Sequence, residues 1–188
     1  TSGNRSYGFK CTDDGIIYTT SSDKATVWGY IGENSTVNIP STIENKLVTR
    51  IKYDQTNEYG STVGTGAKFG FAGRDNISVI TVASALKNGD FVIDANVFGN
   101  MSSLTTINLS IEDGAQMYFG YGMIYGSGNV TEVKFQGKLA GSRIRVVDQN
   151  IEQVNISYDS SVNDNLLSDL SKYQDFEFAL VRVDSYSA

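Results

Sequence analysis

One six-residue pattern recurs along the chain and constrains its fold more than any other feature. Apolar residues stand at the first, fourth and sixth positions of this hexamer. Its five copies begin at Val48, Ile77, Leu104, Val130 and Ile151, at steps of 29, 27, 26 and 21 residues. An ordinary β-sandwich has turns about every 8–12 residues and does not need a similar hexamer at every second or third strand. The near-constant step therefore favours a repeat architecture.

The step matches the period of about 20–29 residues found in leucine-rich repeats, whose strand carries apolar residues at the same three positions. Each repeat would add one short strand to a parallel concave sheet, with the three apolar side chains in the core. A single repeat cannot bury that face alone, but stacked neighbours bury it for each other. The pattern predicts that one row of fully buried side chains is formed by Ile80, Ile107, Val133 and Val154.

Two stretches that precede hexamers carry a family resemblance. The first runs Ile93-Asp94-Ala95-Asn96-Val97-Phe98-Gly99-Asn100-Met101-Ser102-Ser103-Leu104. The second is Ala25-Thr26-Val27-Trp28-Gly29-Tyr30, followed by Val37-Asn38-Ile39-Pro40-Ser41. Both resemble the BspA-type leucine-rich repeat family of bacterial cell-surface proteins, over roughly residues 7–157. The chain departs from that pattern at 52–68, 111–122 and 137–150. The resemblance implies a secreted or surface-exposed bacterial protein that takes part in binding or adhesion.

The predicted fold is a single domain over 1–188, a right-handed β-rich leucine-rich-repeat solenoid with a parallel concave sheet and irregular convex spacers. An N-terminal cap takes 1–47, with an antiparallel hairpin within 7–39. About five repeats follow over 48–157, and a C-terminal cap takes 158–188. In that last cap, a short helix is predicted before a strand at 176–183, because apolar residues fall at helical spacings at Val162, Leu166, Leu167, Leu170 and Tyr173.

The composition narrows the possible chemistry. The chain has no histidine, which excludes Ser-His-Asp and Cys-His catalysis and every metal site with histidine ligands. With 15 basic and 21 acidic residues its net charge is −6, which is unfavourable for binding nucleic acid. We therefore expect no enzymatic activity, no cofactor, no metal and no catalytic residue. No apolar run is long enough to predict a membrane span.

The single cysteine, Cys11, cannot form an intrachain disulfide and is expected to be a shielded hydrophobic residue that reacts slowly. The protein is expected outside the cell or on its surface, with any export signal already removed.

The predicted ligand-binding residues are the fifth residues of the hexamers, because these point outward from the concave sheet and line up on neighbouring strands. They are Lys52, Thr81, Asn108, Lys134 and Asn155. Five strands give a face on the order of 300 Å², against about 800 Å² per partner in a standard interface. Binding of a protein or glycan is therefore expected to be weak or multivalent.

Other interpretations of the polar row and of the whole chain are compatible with the sequence. The polar row is equally compatible with a plain solvated sheet, and the chain with a structural spacer in a larger surface protein. An enzyme acting on extracellular polysaccharide is a third, less favoured reading. An aromatic stretch supplies secondary binding candidates at Tyr118, Tyr121 and Tyr125, whose rings could instead fill the core beneath the spacers.

Overall fold

The computed structural model describes residues 8–53, 68–87, 89–111, 116–119, 124–130, 132–137, 143–146, 155–158 and 180–182. This part of the chain contains strands and turns but no helix. The strands are β1 (Lys10–Cys11), β2 (Ile16–Thr20), β3 (Lys24–Tyr30), β4 (Thr36–Ile39), β5 (Thr42–Ile43), β6 (Lys46–Ile51), β7 (Val79–Ala83), β8 (Asp90–Ile93), β9 (Thr106–Ile111), β10 (Gln116–Phe119), β11 (Glu132–Gly137), β12 (Arg143–Val146), β13 (Asn155–Tyr158) and β14 (Leu180–Arg182). The prediction of a β-rich protein is confirmed.

The strands form two sheets, and the chain passes back and forth between them. Sheet A has the order β1-β2-β3-β6-β8-β10-β12, with β5 beside β6, and sheet B has the order β4-β7-β9-β11-β13-β14. From β6 to β13, consecutive strands belong alternately to sheet A and sheet B. All pairings in sheet B are parallel. In sheet A the pairings along β3-β6-β8-β10-β12 are also parallel, whereas β5 pairs antiparallel with β6.

The core takes alternate residues from both sheets. In sheet A these include Val27, Ile51, Phe91 and Ile93, and in sheet B they include Val37, Ile39, Ile80, Val82, Ile107 and Leu109. Side chains alternate between the two faces of a strand, so the residues between them face away from the core. This alternation of apolar and polar residues is the physical reason that these short segments form strands.

The predicted row is present in the register of sheet B, with one residue changed, and two of its members are buried in the described residues. Ile80 and Ile107 are fully buried, and the register places Val133 beside Ile107. The next member is Ile156, not Val154, because Ile156 pairs with Val133. Ile156 therefore takes the place that was predicted for Val154, and Val154 itself lies outside the described residues. A shift of two residues leaves every side chain on the same face, so an alternating pattern cannot detect it.

The first hexamer, which begins at Val48, belongs to the other sheet. It overlaps β6, which pairs with β3 and β8 in sheet A. The strand that starts sheet B is β4, where Val37 pairs with Ile80. Strands of both sheets bury alternate apolar residues, so the hexamer pattern alone does not assign a strand to one sheet.

The predicted irregular spacers contain strands. β8, β10 and β12 pair in parallel and continue sheet A beyond β6. In β8, Phe91 and Ile93 are fully buried while Asp90 is exposed, which is the alternation of a strand with one face on the core. The expectation of irregular convex spacers is therefore wrong for these segments.

The N-terminal antiparallel hairpin is present, formed by β2 and β3 with β1 alongside. It is shorter than the predicted 7–39 segment, because β4 already belongs to the parallel sheet B. At the other end, β14 lies within the predicted strand at 176–183 and pairs in parallel with β13. The predicted C-terminal helix lies outside the described residues.

Candidate functional site

A row of polar residues follows the strand register of sheet B. Asn38, Thr81 and Asn108 occupy matching register positions on β4, β7 and β9. The Asn108 Nδ2 donates a hydrogen bond to Thr81 Oγ1 at 3.3 Å. The register continues this row through Lys134 and Ser157 on β11 and β13. We call these five residues the sheet B row.

Three of the five predicted binding residues belong to the sheet B row, namely Thr81, Asn108 and Lys134. Lys52 does not, because it follows β6 of sheet A, and its Nζ lies 4.7 Å from the centroid of the Trp28 ring. Asn155 does not either, since it pairs with Glu132 and so falls one row away. Their predicted alignment is wrong for the two reasons given above: the first hexamer is in sheet A, and the last is shifted by two residues.

Sequence reasoning missed Asn38, which heads the sheet B row. Its segment, Val37-Asn38-Ile39, alternates as a strand does, but it lacks the full hexamer. The sequence signal that could have found it is the pair of apolar neighbours, Val37 and Ile39, and the structure buries both of them.

The three tyrosines are distributed over different elements. Tyr118 lies in β10 of sheet A, in register with Val92 and Arg145. Tyr125 lies in a turn and is 58% exposed, while its carbonyl accepts a hydrogen bond from the Asn100 amide at 2.8 Å. Tyr121 lies outside the described residues.

A small cavity opens beside β4, between that strand and the N-terminal hairpin. It has a volume of about 130 Å³ and is lined by Asp14, Ile16, Tyr30, Asn34, Thr36, Val37 and Asn38. Pockets for drug-sized ligands measure about 300–1,000 Å³, so this cavity fits no more than a side chain or a few waters. The Tyr30 hydroxyl accepts a hydrogen bond from the Asn34 amide at 3.2 Å and so shapes the cavity wall.

A buried arginine holds the loop behind this cavity. Arg74 is 4% exposed, and its Nη2 donates to the Gly32 carbonyl at 2.6 Å, while Nη1 donates to the Tyr30 carbonyl. Its guanidinium carbon also lies 5.2 Å from the centroid of the Tyr30 ring. Nothing in the sequence predicted this role, because an arginine in a glycine-containing loop is usually solvated.

Cys11 is exposed, so the expectation of a shielded cysteine is wrong. The reason is that β1 is a two-residue strand at the edge of sheet A, with both residues exposed. The Sγ donates weakly to the Thr12 carbonyl at 3.2 Å. Partial desolvation of the sulfur, followed by the nearby Asp13 carboxylate, raises the pKa of the Cys11 thiol.

Within the described ranges, His, Cys, Asp and Glu side chains nowhere gather in a group of three or more that could hold a metal ion. That part of the chain also contains no helix with the length and hydrophobicity needed to cross a membrane.

No family model matches the chain, and no curated protein matches it. Among solved structures, the chain is similar to the crystal structure of the pneumococcal vaccine antigen PcpA, at 16% identity and a TM-score of 0.39. The similarity covers 82% of this chain and 45% of that one, so this chain spans less than half the length of the antigen structure.

Proposed function

We propose that the chain is a non-enzymatic binding module, secreted or exposed on a cell surface, which recognises a protein or a glycan through the sheet B row. The observation that carries the proposal is the register of Asn38, Thr81 and Asn108, which lines up amide and hydroxyl groups on adjacent strands. The location outside the cell depends only on the resemblance described under the sequence analysis.

The chemistry of the row suits hydrogen bonding. An amide side chain both donates and accepts, and a hydroxyl does the same, so the row offers mixed donors and acceptors to a ligand. Asn108 and Thr81 are already joined by a hydrogen bond, which holds both side chains in one orientation. Strand backbones keep such groups about 4.8 Å apart, a spacing that neither a loop nor a flexible tail would maintain.

We further propose that the fold is a leucine-rich-repeat solenoid of the BspA type. Support comes from the register of sheet B, where Ile80, Ile107, Val133, Ile156 and Leu180 follow each other at steps of 27, 26, 23 and 24 residues. Contacts between successive turns add to this support. Thr105 Oγ1 donates to the Ser78 carbonyl, and Ser78 Oγ donates to the Ser35 carbonyl, both at 3.2 Å.

The area of sheet B implies weak binding by one copy. Six strands about 4.8 Å apart span roughly 24 Å, and a strand of typical length covers about 17 Å, so the face measures on the order of 400 Å². That is about half of what each partner contributes to a standard interface. We therefore expect useful affinity only when several copies are displayed together.

The experiment is a screen on glycan arrays and extracellular-matrix proteins with the chain displayed on beads. A triple variant with Thr81→Ala, Asn108→Ala and Lys134→Ala is compared with the wild type on every ligand found. The matched control is Lys24→Ala with Thr26→Ala on β3 of sheet A, two side chains that face away from the core. We expect the triple variant to lose binding and the control to keep it, with both folded by circular dichroism.

Two outcomes would contradict the proposal. Retained binding by the folded triple variant would exclude the sheet B row as the site. Absence of any ligand in the screen would favour a structural spacer, which needs no polar row.

A further inference from the structure

The free edge of sheet B is the feature with the clearest unassigned role. β4 is the first strand of sheet B, and in the described residues nothing pairs with its outer edge. Sheet A, by contrast, continues past β3 with β2 and β1. Sheet A therefore extends two strands further than sheet B at this end, and the edge of β4 lies beside the N-terminal hairpin.

The hydrogen bonding between β4 and β7 shows which backbone groups of β4 point to its open edge. The Val79 amide donates to the Ser35 carbonyl at 3.1 Å, so Ser35 points toward β7. In a parallel pair, the backbone groups of successive residues point alternately to the two sides of a strand. Val37 and Ile39 therefore point toward β7, and the N–H and C=O groups of Thr36 and Asn38 point toward the open edge. Thr36 and Asn38 are exposed, whereas Val37 and Ile39 are buried.

The small cavity lies on this same edge. Thr36, Val37 and Asn38 form one side of it, and Asp14 and Ile16 of the hairpin segment form another. Its lining includes the exposed carboxylate of Asp14 but no lysine or arginine. The chain as a whole carries a net charge of −6. The Arg74 guanidinium behind the cavity donates to the carbonyls of Tyr30 and Gly32, so it does not neutralise Asp14 by direct pairing. A cationic side chain beside Asp14 is therefore the complementary occupant.

We infer that the edge of β4 is a docking site for an extended peptide segment of a partner protein, which adds a strand to sheet B and places a lysine or arginine side chain in the cavity next to Asp14. Main-chain hydrogen bonds to Thr36 and Asn38 would hold the peptide, and the cavity would select its side chain. This mode of recognition, in which a peptide extends a sheet at its edge, uses backbone bonds for affinity and pockets for specificity. The site uses the backbone of Asn38, whereas the sheet B row uses the side chain of that residue.

The probe is a short synthetic peptide of alternating threonine and valine with one central lysine and blocked ends. Binding is followed by the amide NMR signals of the ¹⁵N-labelled full chain. We expect the amides of Thr36 and Asn38 to shift, and the same peptide with glutamate in place of lysine to bind more weakly. The fully N-methylated peptide should not bind, because it cannot donate main-chain hydrogen bonds.

Two protein variants separate the backbone from the charge. Asn38→Pro removes an N–H that points to the open edge and leaves the β4–β7 bonds in place, as proline is tolerated at a sheet edge. We expect it to weaken peptide binding about tenfold or more, as for the loss of about 1.4 kcal/mol, while Asn38→Ala weakens it much less. Asp14→Asn should abolish the preference for lysine over glutamate.

Several results would overturn the inference. They are an absence of shifts at millimolar peptide, equal binding by Asn38→Pro and Asn38→Ala in folded protein, or shifts at Thr81 and Asn108 without shifts at Thr36 and Asn38. Concentration-dependent dimerisation that Asn38→Pro abolishes would instead assign the edge to a second copy of this chain. The folding of Asn38→Pro is checked by the amide signals of β7, which it should leave unchanged. Because the peptide test does not use the ligands of the bead screen, either proposal can fail without the other.

Discussion

Ile107 is a core residue of sheet B with a register neighbour on each side. It is fully buried, and its register neighbours are Ile80 on one side and Val133 on the other. Removal of three carbons from such a site leaves a cavity that close-packed neighbours fill only in part. The cost of the cavity adds to the lost transfer free energy.

We therefore expect Ile107→Ala to lower the free energy of unfolding by about 2–5 kcal/mol, measured by urea denaturation. The control is Thr106→Ala on the opposite face of the same strand, which should change stability by about 0.5 kcal/mol or less. A loss below about 1 kcal/mol for Ile107→Ala would contradict the buried row.

Cys11 shows that exposure and reactivity are separate properties. Its thiol is accessible, but its pKa is raised by partial desolvation and then by Asp13. Only the thiolate attacks a disulfide reagent, and a raised pKa lowers the thiolate fraction at neutral pH.

We expect Cys11 to react with a thiol reagent more slowly at pH 7.5 than free cysteine, with a rate that rises as the pH passes above 9.0, the ordinary value from which its pKa is raised. Asp13→Asn should accelerate labelling at pH 8, because it removes the charge that opposes ionisation, while the distant Asp23→Asn should not. Labelling of the wild type as fast as free cysteine at pH 7.5 would show that the pKa is not raised.

At the scale of single elements, the N-terminal hairpin is attached to the rest of the molecule by a close backbone approach. The Tyr30 amide donates to the Phe69 carbonyl at 2.6 Å, and Gly29 pairs with Gly70 as an isolated antiparallel bridge. A Cβ atom added at Gly29 would collide with the Phe69 carbonyl group. That collision is with backbone, so no side-chain rotation relieves it.

The expected result for Gly29→Ala is a loss of about 1–3 kcal/mol in unfolding free energy, with faster amide exchange in β3 than in β9. Gly128→Ala is the matched control, because an added Cβ there meets no atom within 4 Å. If both variants have the same thermal midpoint, the close approach at Gly29 does not hold the hairpin.

The strands also show which structural features the sequence pattern could predict and which it could not. The alternation around Ile80 and Ile107 predicted two buried strands and their pairing, because burial of one face requires a period of two. The same period could not separate Val154 from Ile156, and it could not assign the first hexamer to sheet A. Asn38 and Arg74 were missed for another reason: their roles depend on neighbours that are distant in sequence, Val79 for the strand of Asn38 and Gly32 for Arg74.

At the scale of the whole molecule, the width of sheet B limits what one copy can bind. A face on the order of 400 Å² leaves room for few hydrogen bonds, so the dissociation of a single copy should be fast. In a protein with two linked copies, one copy stays bound while the other dissociates, so the dissociated copy can bind again.

We expect two copies joined by a flexible glycine-serine linker to bind a surface-immobilised ligand from the screen about 10²–10⁴-fold more tightly than one copy. Surface plasmon resonance should show most of this gain in the dissociation rate. A tandem protein in which one copy carries Thr81→Ala, Asn108→Ala and Lys134→Ala is the control and should bind like a single copy. A gain in that control would mean that the linker or the ligand surface, and not a second row, causes the increase.

The hydrogen bonds from Arg74 to the carbonyls of Tyr30 and Gly32 bear on how the stability of the hairpin depends on pH. A guanidinium group stays protonated throughout the range in which proteins are handled, and the carbonyls of Tyr30 and Gly32 do not titrate at all. Acid therefore leaves the charge and the hydrogen-bond donors of Arg74 unchanged. A histidine in the same place would gain or lose its charge near neutral pH. The hydrogen bonds that hold the hairpin therefore do not depend on pH, and we expect them to persist in acid as at neutrality.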